Sequence, residues 1–120
     1  MDKPVLLKNI DFAQPLDLAG LVEYQPGQVV SRTLAQNNFL SLTLFAFDAG
    51  EGISAHTVPA DALMQVFDGQ AEVVIDGQVM NVAAGQVVAM PAGKPHALNA
   101  RQRFKMVLTV VRPPQQGLEL

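Results

Sequence analysis

Two histidines are the residues of this sequence whose side chains could do chemistry near neutral pH. His56 lies in the stretch ISAHTVPADALMQVFDG, and His96 lies forty residues later in MPAGKPHALNA. A neutral imidazole can ligate a metal or exchange hydrogen bonds with a ligand. The sequence contains no cysteine, which excludes thiolate nucleophiles, disulfides, zinc knuckles and iron–sulfur ligation. The function therefore depends on whether the two imidazoles share one site.

The composition describes a folded chain without a charge signal for a polyanionic partner. Of the 120 residues, 49% are hydrophobic and 16% are charged, and the formal net charge is −3. The length suits one domain with one core. The basic cluster RQRFK has the pattern of a solvated strand start, so we expect neither a nucleic-acid nor a membrane partner. No apolar run has the length of a signal peptide or a membrane span, which favours a cytoplasmic location.

The hydrophobic pattern is typical of β-strands. Short apolar runs are interrupted by proline and glycine, and this spacing predicts about nine or ten short strands in an all-β sandwich or barrel. The run FLSLTLFAF carries bulky apolar residues at both parities, so both of its faces are expected to be covered. LVEY is predicted to be a strand, and a short helical turn is expected within residues 5–20.

Two Asp-Gly pairs predict tight turns. Asp68-Gly69 separates ALMQVF from AEVVI, and Asp76-Gly77 separates AEVVI from VMNV. Because glycine readily supplies the positive φ of a tight turn, we predict a three-stranded meander over this region.

The residues around each histidine resemble the two signature motifs of the cupin superfamily. The second motif, G-x5-P-x-G-x2-H-x3-N, is matched by Gly85, Pro91, Gly93 and His96, with Ala100 at the asparagine position. The first motif, G-x5-H-x-H-x3/4-E-x6-G, is degenerate. It keeps only Gly50, His56 and Gly69.

This resemblance implies a fold and a place for the histidines. The expected fold is a small antiparallel β-barrel, a double-stranded β-helix of the RmlC-like cupin jelly-roll type. Residues 1–120 would form a single cupin domain with its core barrel at about residues 20–112. In cupins the two motifs lie on facing strands, so the resemblance implies that both histidines point into one end of the barrel.

The resemblance also implies that the metal site is partly lost. Cupins typically bind a metal through three histidines and a glutamate, but Val58 and Ala62 occupy the second histidine and glutamate positions. The metal ligands that remain are His56 and His96. A catalytic divalent site normally needs three protein ligands. We therefore predict that one divalent transition metal (nickel, copper, zinc, iron or manganese) is weakly held or absent.

Three polar residues are the candidates for a replacement ligand. Gln65 and Asp61 have the wrong strand parity relative to Ala62, unless a bulge follows Pro59. Glu51 would have to fold inward from the mouth of the loop.

The predicted ligand-binding residues are the two histidines and their apolar neighbours: His56, His96, Val58, Ala62, Met64 and Met90. Val66 and either Phe45 or Met106 are further candidates. The methionines would suit an adaptable ligand, although a small barrel must also fill its interior with such residues. Without a metal, the histidine pair could still hydrogen-bond an anionic or carbonyl ligand.

Two functions are compatible with these residues. The first is a small-molecule-binding cupin with a degenerate metal centre, favoured by Val58 and Ala62. The second is a metal-dependent enzyme of the dioxygenase, isomerase or decarboxylase type, with His56, His96 and a non-standard third ligand. The resemblance also implies a homodimer, since small cupins commonly pair through N-terminal strands and sheet edges. The long strands with two apolar faces are consistent with an edge that needs covering.

Overall fold

The fold is built almost entirely from antiparallel strands. The structure is a computed structural model that describes residues 6–114, with one 3₁₀ helix at Leu18–Gly20. Its strands are β1 (Val29–Gln36), β2 (Leu40–Phe47), β3 (Gly52–His56), β4 (Asp61–Ile75), β5 (Gln78–Ala83), β6 (Val87–Met90), β7 (His96–Asn99) and β8 (Phe104–Val111). The prediction of about nine or ten strands was therefore too high for this part of the chain, mainly because β4 is one long strand.

The strands form a curled antiparallel sheet in two halves that share β4. One half has the order β1-β2-β8-β4-β6, and in the other half β4 pairs with β5 and β7 while β7 also pairs with β3. The N-terminal part of β4 belongs to the first half and its C-terminal part to the second. The predicted all-β, antiparallel barrel fold is confirmed.

The first Asp-Gly pair is not a turn, so the predicted three-stranded meander is wrong at this point. Asp68-Gly69 lies inside β4, where the pairing with β8 shifts register between Val66 and Asp68. Gly69 has φ +71°, and a Cβ there would lie 2.2 Å from the carbonyl oxygen of Arg103. A glycine is needed here because the strand has a bulge and another backbone segment approaches closely. An Asp-Gly pair in the sequence does not distinguish such a bulge from a hairpin turn.

The second Asp-Gly pair is the predicted hairpin turn. Ile75 pairs with Gln78, so Asp76 and Gly77 form a two-residue loop between β4 and β5. Both have positive φ, 50° and 82°, as a type I′ turn requires.

The interior of the barrel is filled from both halves of the sheet. Its centre contains a parallel-stacked pair, Phe47 and Phe104, with ring centroids 4.6 Å apart and an interplanar angle of 10°. The other members of this cluster are Ala62, Met64, Val66, Ala71, Val73, Val82, Met90, Leu98, Ala100 and Met106. The core therefore ends at Ala62 and Met90, next to the histidines.

The opposite face of β2 packs under the N-terminal segment. Leu44 and Ala46 are buried with Val22 and Leu34 in a second cluster, and Phe47 packs in the barrel interior, so both faces of FLSLTLFAF are covered in its C-terminal part. Phe39, at the start of the run, is exposed. LVEY is not a strand, contrary to prediction. Its first residue is instead tied to the sheet, because the side chain of Arg32 donates a hydrogen bond to the carbonyl of Leu21.

The segment just before it has the expected helical turn. Leu18–Gly20 is a 3₁₀ helix, and the buried Lys105 donates a hydrogen bond of 2.6 Å to the carbonyl of Ala19. Within residues 6–114, no helix has the length and apolar character needed to cross a membrane.

Candidate functional site

The two histidines meet. His56 ends β3 and His96 begins β7, and the two residues are direct partners across this antiparallel strand pair. Their ring centroids are 4.4 Å apart, with the ring planes inclined by 60°. The forty residues that separate them in sequence are bridged by one strand pairing.

Backbone contacts hold the loop in front of His96. Gly93 donates a hydrogen bond of 2.9 Å to the carbonyl of Val58, so the loop is tied to the segment that follows His56. Asp76 donates one of 2.8 Å to the carbonyl of Pro95. The loop is thereby fixed to both neighbouring connections, which limits the freedom of the histidine pair.

The hydrogen bonds of the rings determine their neutral tautomers. Nδ1 of His56 lies 3.0 Å from the carbonyl oxygen of Ser54, and Nδ1 of His96 lies 3.3 Å from that of Lys94. A carbonyl oxygen can only accept, so Nδ1 carries the proton in each neutral ring. Nε2 is then an unprotonated nitrogen, available to a metal or to a hydrogen-bond donor.

Both histidines line a cavity of about 510 Å³. His96 is buried at 8% exposure, whereas His56 is exposed at the rim. Most of the remaining wall is apolar: Val58, Pro59, Ala62, Met90, Leu108 and Val110. Ala62 pairs with Met90 on one side and Val110 on the other, so these three strands form one continuous apolar surface. The cavity has the size and character of a small-molecule site.

The predicted site residues divide into two groups. Val58, Ala62 and Met90 line the cavity with the two histidines. Met64 lies elsewhere: it is 0% exposed in the core and is not part of the cavity wall. One strand repeat deeper than Ala62, it is covered by its cross-strand partners Val88 and Leu108. Val66, Phe45 and Met106 likewise pack in the core.

The residues considered as third metal ligands lie away from the histidines. Glu51 lines a separate polar pocket, and Gln65 is exposed on the outer side of β4. The carboxylate of Asp61 accepts a hydrogen bond of 2.8 Å from the amide of Ala92. Across residues 6–114, no group of three metal-binding side chains comes together. Two imidazoles beside Val58 and Ala62 do not fit a three-ligand metal centre.

Arg112 and Asn38 also line the cavity, and both were missed from the sequence. Arg112 follows β8, in which Leu108 and Val110 already face the cavity. Strand alternation extended by one step would have placed Arg112 on the same face. Asn38 lies in the turn between β1 and β2, which no sequence pattern linked to the histidines.

The antiparallel fold and the histidine pair at one open end place this protein among the small β-barrel proteins. Comparison with known proteins gives the family. Residues 43–112 match the family model of the cupin domain. That match covers more than half of the chain, so this protein belongs to the cupin family.

Solved structures agree with this assignment. A conserved protein of unknown function from Streptococcus pyogenes is 41% identical, with a TM-score of 0.91 over 95% of this chain and 100% of that one. A cupin superfamily protein from Desulfitobacterium hafniense is 34% identical, with a TM-score of 0.85 over 89% and 98% of the two chains.

A third similar structure is a larger protein, a cupin 2 conserved barrel domain protein from Leptotrichia buccalis. It is 39% identical with a TM-score of 0.79, covering 81% of this chain and 47% of that one. No functionally curated protein matches the sequence of this chain.

Proposed function

We propose that this cupin binds a small molecule in the cavity at the histidine end of the barrel, without a closed metal centre. The observation that carries the proposal is the set of side chains at the family's four metal-ligand positions. His56 and His96 adjoin a cavity of about 510 Å³ whose wall has Val58 and Ala62 at the family's other ligand positions. Neither substituted side chain has a metal-binding atom, so the space a metal and its ligands would fill is available to an organic ligand.

The apolar wall supports binding by burial of hydrocarbon surface. Burial contributes about 25 cal/mol for each Å² of apolar surface removed from water. The polar contacts would then orient the ligand rather than supply most of the affinity. With the proton on Nδ1, Nε2 of each ring accepts a hydrogen bond, which favours a ligand with a hydroxyl or N–H group at that end.

A second candidate is a metal-dependent enzyme of the dioxygenase, isomerase or decarboxylase type. One observation favours it: metal-ligating histidines usually donate the other ring N–H to a carbonyl or carboxylate, as both Nδ1 atoms do here. This candidate needs a third ligand to join His56 and His96, from a ligand molecule or from outside residues 6–114.

Elemental analysis of the purified protein separates the two candidates. We expect substoichiometric metal in the wild-type protein, with no change in His56→Ala or His96→Ala. A thermal-shift screen of small acids and aromatic compounds should then give hits that weaken in both variants. The matched control is Asn99→Ala, an exposed change on the same strand pair. Stoichiometric metal that is lost in both histidine variants would favour the enzyme instead.

The expected homodimer is also part of the proposal. Large apolar side chains are exposed along the N-terminal segment and the outer sheet face: Leu6, Leu7, Phe12, Leu16, Leu18, Leu63 and Val87. Pairing of two copies would cover such a surface. Light scattering after size exclusion should give twice the chain mass, and a monomer at micromolar concentration would contradict the dimer.

A further inference from the structure

Arg112 is the permanently charged side chain in the cavity wall. It follows Val110 on the cavity-facing side of β8, and its backbone amide donates a hydrogen bond of 2.8 Å to the carbonyl of Phe39. The backbone is thus tied to the β1–β2 turn, and the guanidinium is presented from a fixed position.

The hydrogen-bond partners of this guanidinium are neutral. Nη2 donates to the hydroxyl of Ser41 at 3.1 Å, and Nη1 makes a long contact of 3.4 Å with the carbonyl of Asn37. In the part of the chain that the structure describes, Arg112 forms no ion pair with a carboxylate. No aspartate or glutamate from this part lines the cavity.

A half-buried cation whose described partners, Ser41 and Asn37, are neutral favours an anion as a further partner. Partial burial removes water from the guanidinium, and a charged acceptor restores more of that lost solvation than a hydroxyl or carbonyl does. The planar guanidinium matches a carboxylate with two parallel hydrogen bonds. The surrounding wall is apolar, so the rest of the ligand should be hydrocarbon.

We propose that the cavity binds a small organic acid, with its carboxylate on Arg112 and its hydrocarbon body against Val58, Ala62 and Val110. This inference rests on the proposed ligand-binding function and gives the chemical class of the ligand. Arg112 determines specificity by distinguishing an acid from a neutral molecule of the same shape.

The test compares acids with their neutral isosteres. Benzoate and benzamide form one pair, hexanoate and hexanamide a second, and inorganic phosphate is an anion without a hydrocarbon body. Binding to the full chain is measured by NMR titration at constant ionic strength. We expect at least one acid to bind on the order of tenfold to a hundredfold more tightly than its amide, as a charge-assisted hydrogen bond predicts.

Variants assign this preference to Arg112. Arg112→Gln should remove the preference by weakening acid binding more than amide binding, while Arg112→Lys should keep part of it. Arg101→Gln is the matched control, because Arg101 is an exposed arginine in a different pocket. Circular dichroism checks the fold of each variant, and Arg112→Lys tests the role of the charge if the glutamine variant does not fold.

The outcomes distinguish the inference from the function on which it rests. Equal binding of acid and amide, or an acid preference that survives in Arg112→Gln, would overturn the inference and leave the binding function standing. Phosphate binding as tight as that of the acids would overturn the organic-acid class. If none of the five probes binds, the organic-acid inference is overturned. Failure of the wider thermal-shift screen would count against the binding function itself.

Discussion

The two ends of the β3–β7 strand pair differ in how their charges are satisfied. At one end His56 faces His96, beside an apolar cavity that contains Arg112. At the other end Gly52 faces Asn99, beside a polar pocket of about 340 Å³ that contains Arg101. Each end therefore has a cavity and an arginine, but only the second arginine has a carboxylate partner within residues 6–114.

At the polar end, the charged and polar side chains have hydrogen-bond partners within the chain itself. Glu72 accepts hydrogen bonds from the guanidinium of Arg101 and from the amide of Asn99. The bond from Arg101 is the main reason that the pKa of Glu72 lies below its ordinary value. A ligand at this end would compete with existing partners. At the histidine end it would meet apolar walls and a guanidinium that has no carboxylate partner among residues 6–114, so that end is the better candidate for binding.

The largest expected effect is a gain in metal affinity when the family's ligands are restored at positions 58 and 62, which should turn the histidine end into a metal centre. The change is Val58→His with Ala62→Glu. Because outer-shell groups alone affect metal affinity by ~10–100-fold, two added ligands should raise it by about 100-fold or more. Competition with a chelator measures the gain for zinc and nickel.

The same double substitution in a His56→Ala, His96→Ala background is the control, and it should show no gain. The buried glutamate should also lower the melting temperature of the metal-free variant, with recovery when metal is added. A folded double variant without increased affinity would mean that positions 58 and 62 do not face the histidines as a ligand set.

A substitution at the polar end tests whether that end holds the strand pair together. A Cβ on Gly52 would lie 2.5 Å from the carbonyl oxygen of Leu98, so Gly52→Ala must push β3 away from β7. We expect a loss of about 1–3 kcal/mol in the free energy of unfolding, typical of overpacking. Urea denaturation measures this loss.

Gly20→Ala is the matched control, since nothing lies within 4 Å of a Cβ at that position. It should not lower the stability. An unchanged stability in Gly52→Ala would show that the β3–β7 pairing tolerates displacement, and that the histidine register does not depend on it.

The smallest expected effect is on the pH dependence of stability, through the ion pair of Glu72 and Arg101 at the polar end. Because the pKa of Glu72 is lowered in the folded state, its contribution is present above the pKa of the unfolded chain and is lost as pH falls through the folded pKa. On acidification from pH 7 to pH 3, the melting temperature of Glu72→Gln should therefore fall by less than that of the wild type. Thermal unfolding followed by circular dichroism measures both.

A salt dependence and a control variant test whether the different acid responses of wild type and Glu72→Gln come from the ion pair. Because Arg101 is exposed, 0.5 M sodium chloride should reduce the difference between wild type and Glu72→Gln. Asp17→Asn is the control, since Asp17 makes no side-chain capping bond to the 3₁₀ helix that follows it. An identical acid profile in wild type and Glu72→Gln would mean that the pair does not matter for stability.

Part of the site could be predicted because it follows from local spacing. The spacing of Gly85, Pro91, Gly93 and His96 pointed to the family, and the pairing of the two histidines follows from that family's strand arrangement. The resemblance also put Ala62 at the family's glutamate position, which lies on the inner face of β4. It could not tell how deep along that face the cavity reaches, so Met64 was predicted to line a wall that ends one repeat earlier.

The sequence by itself determined the all-β class, the Asp76-Gly77 hairpin and the absence of thiol chemistry, because these depend on composition and on neighbours along the chain. Only the tertiary structure decided that Asp68-Gly69 is a bulge, since Arg103, whose carbonyl approaches Gly69, precedes β8 and is distant in sequence. It also decided that Arg112 shares a cavity with the histidines while Arg101 finds Glu72. Two arginines that look alike in sequence differ because charge compensation is set by what folding brings within a few ångströms.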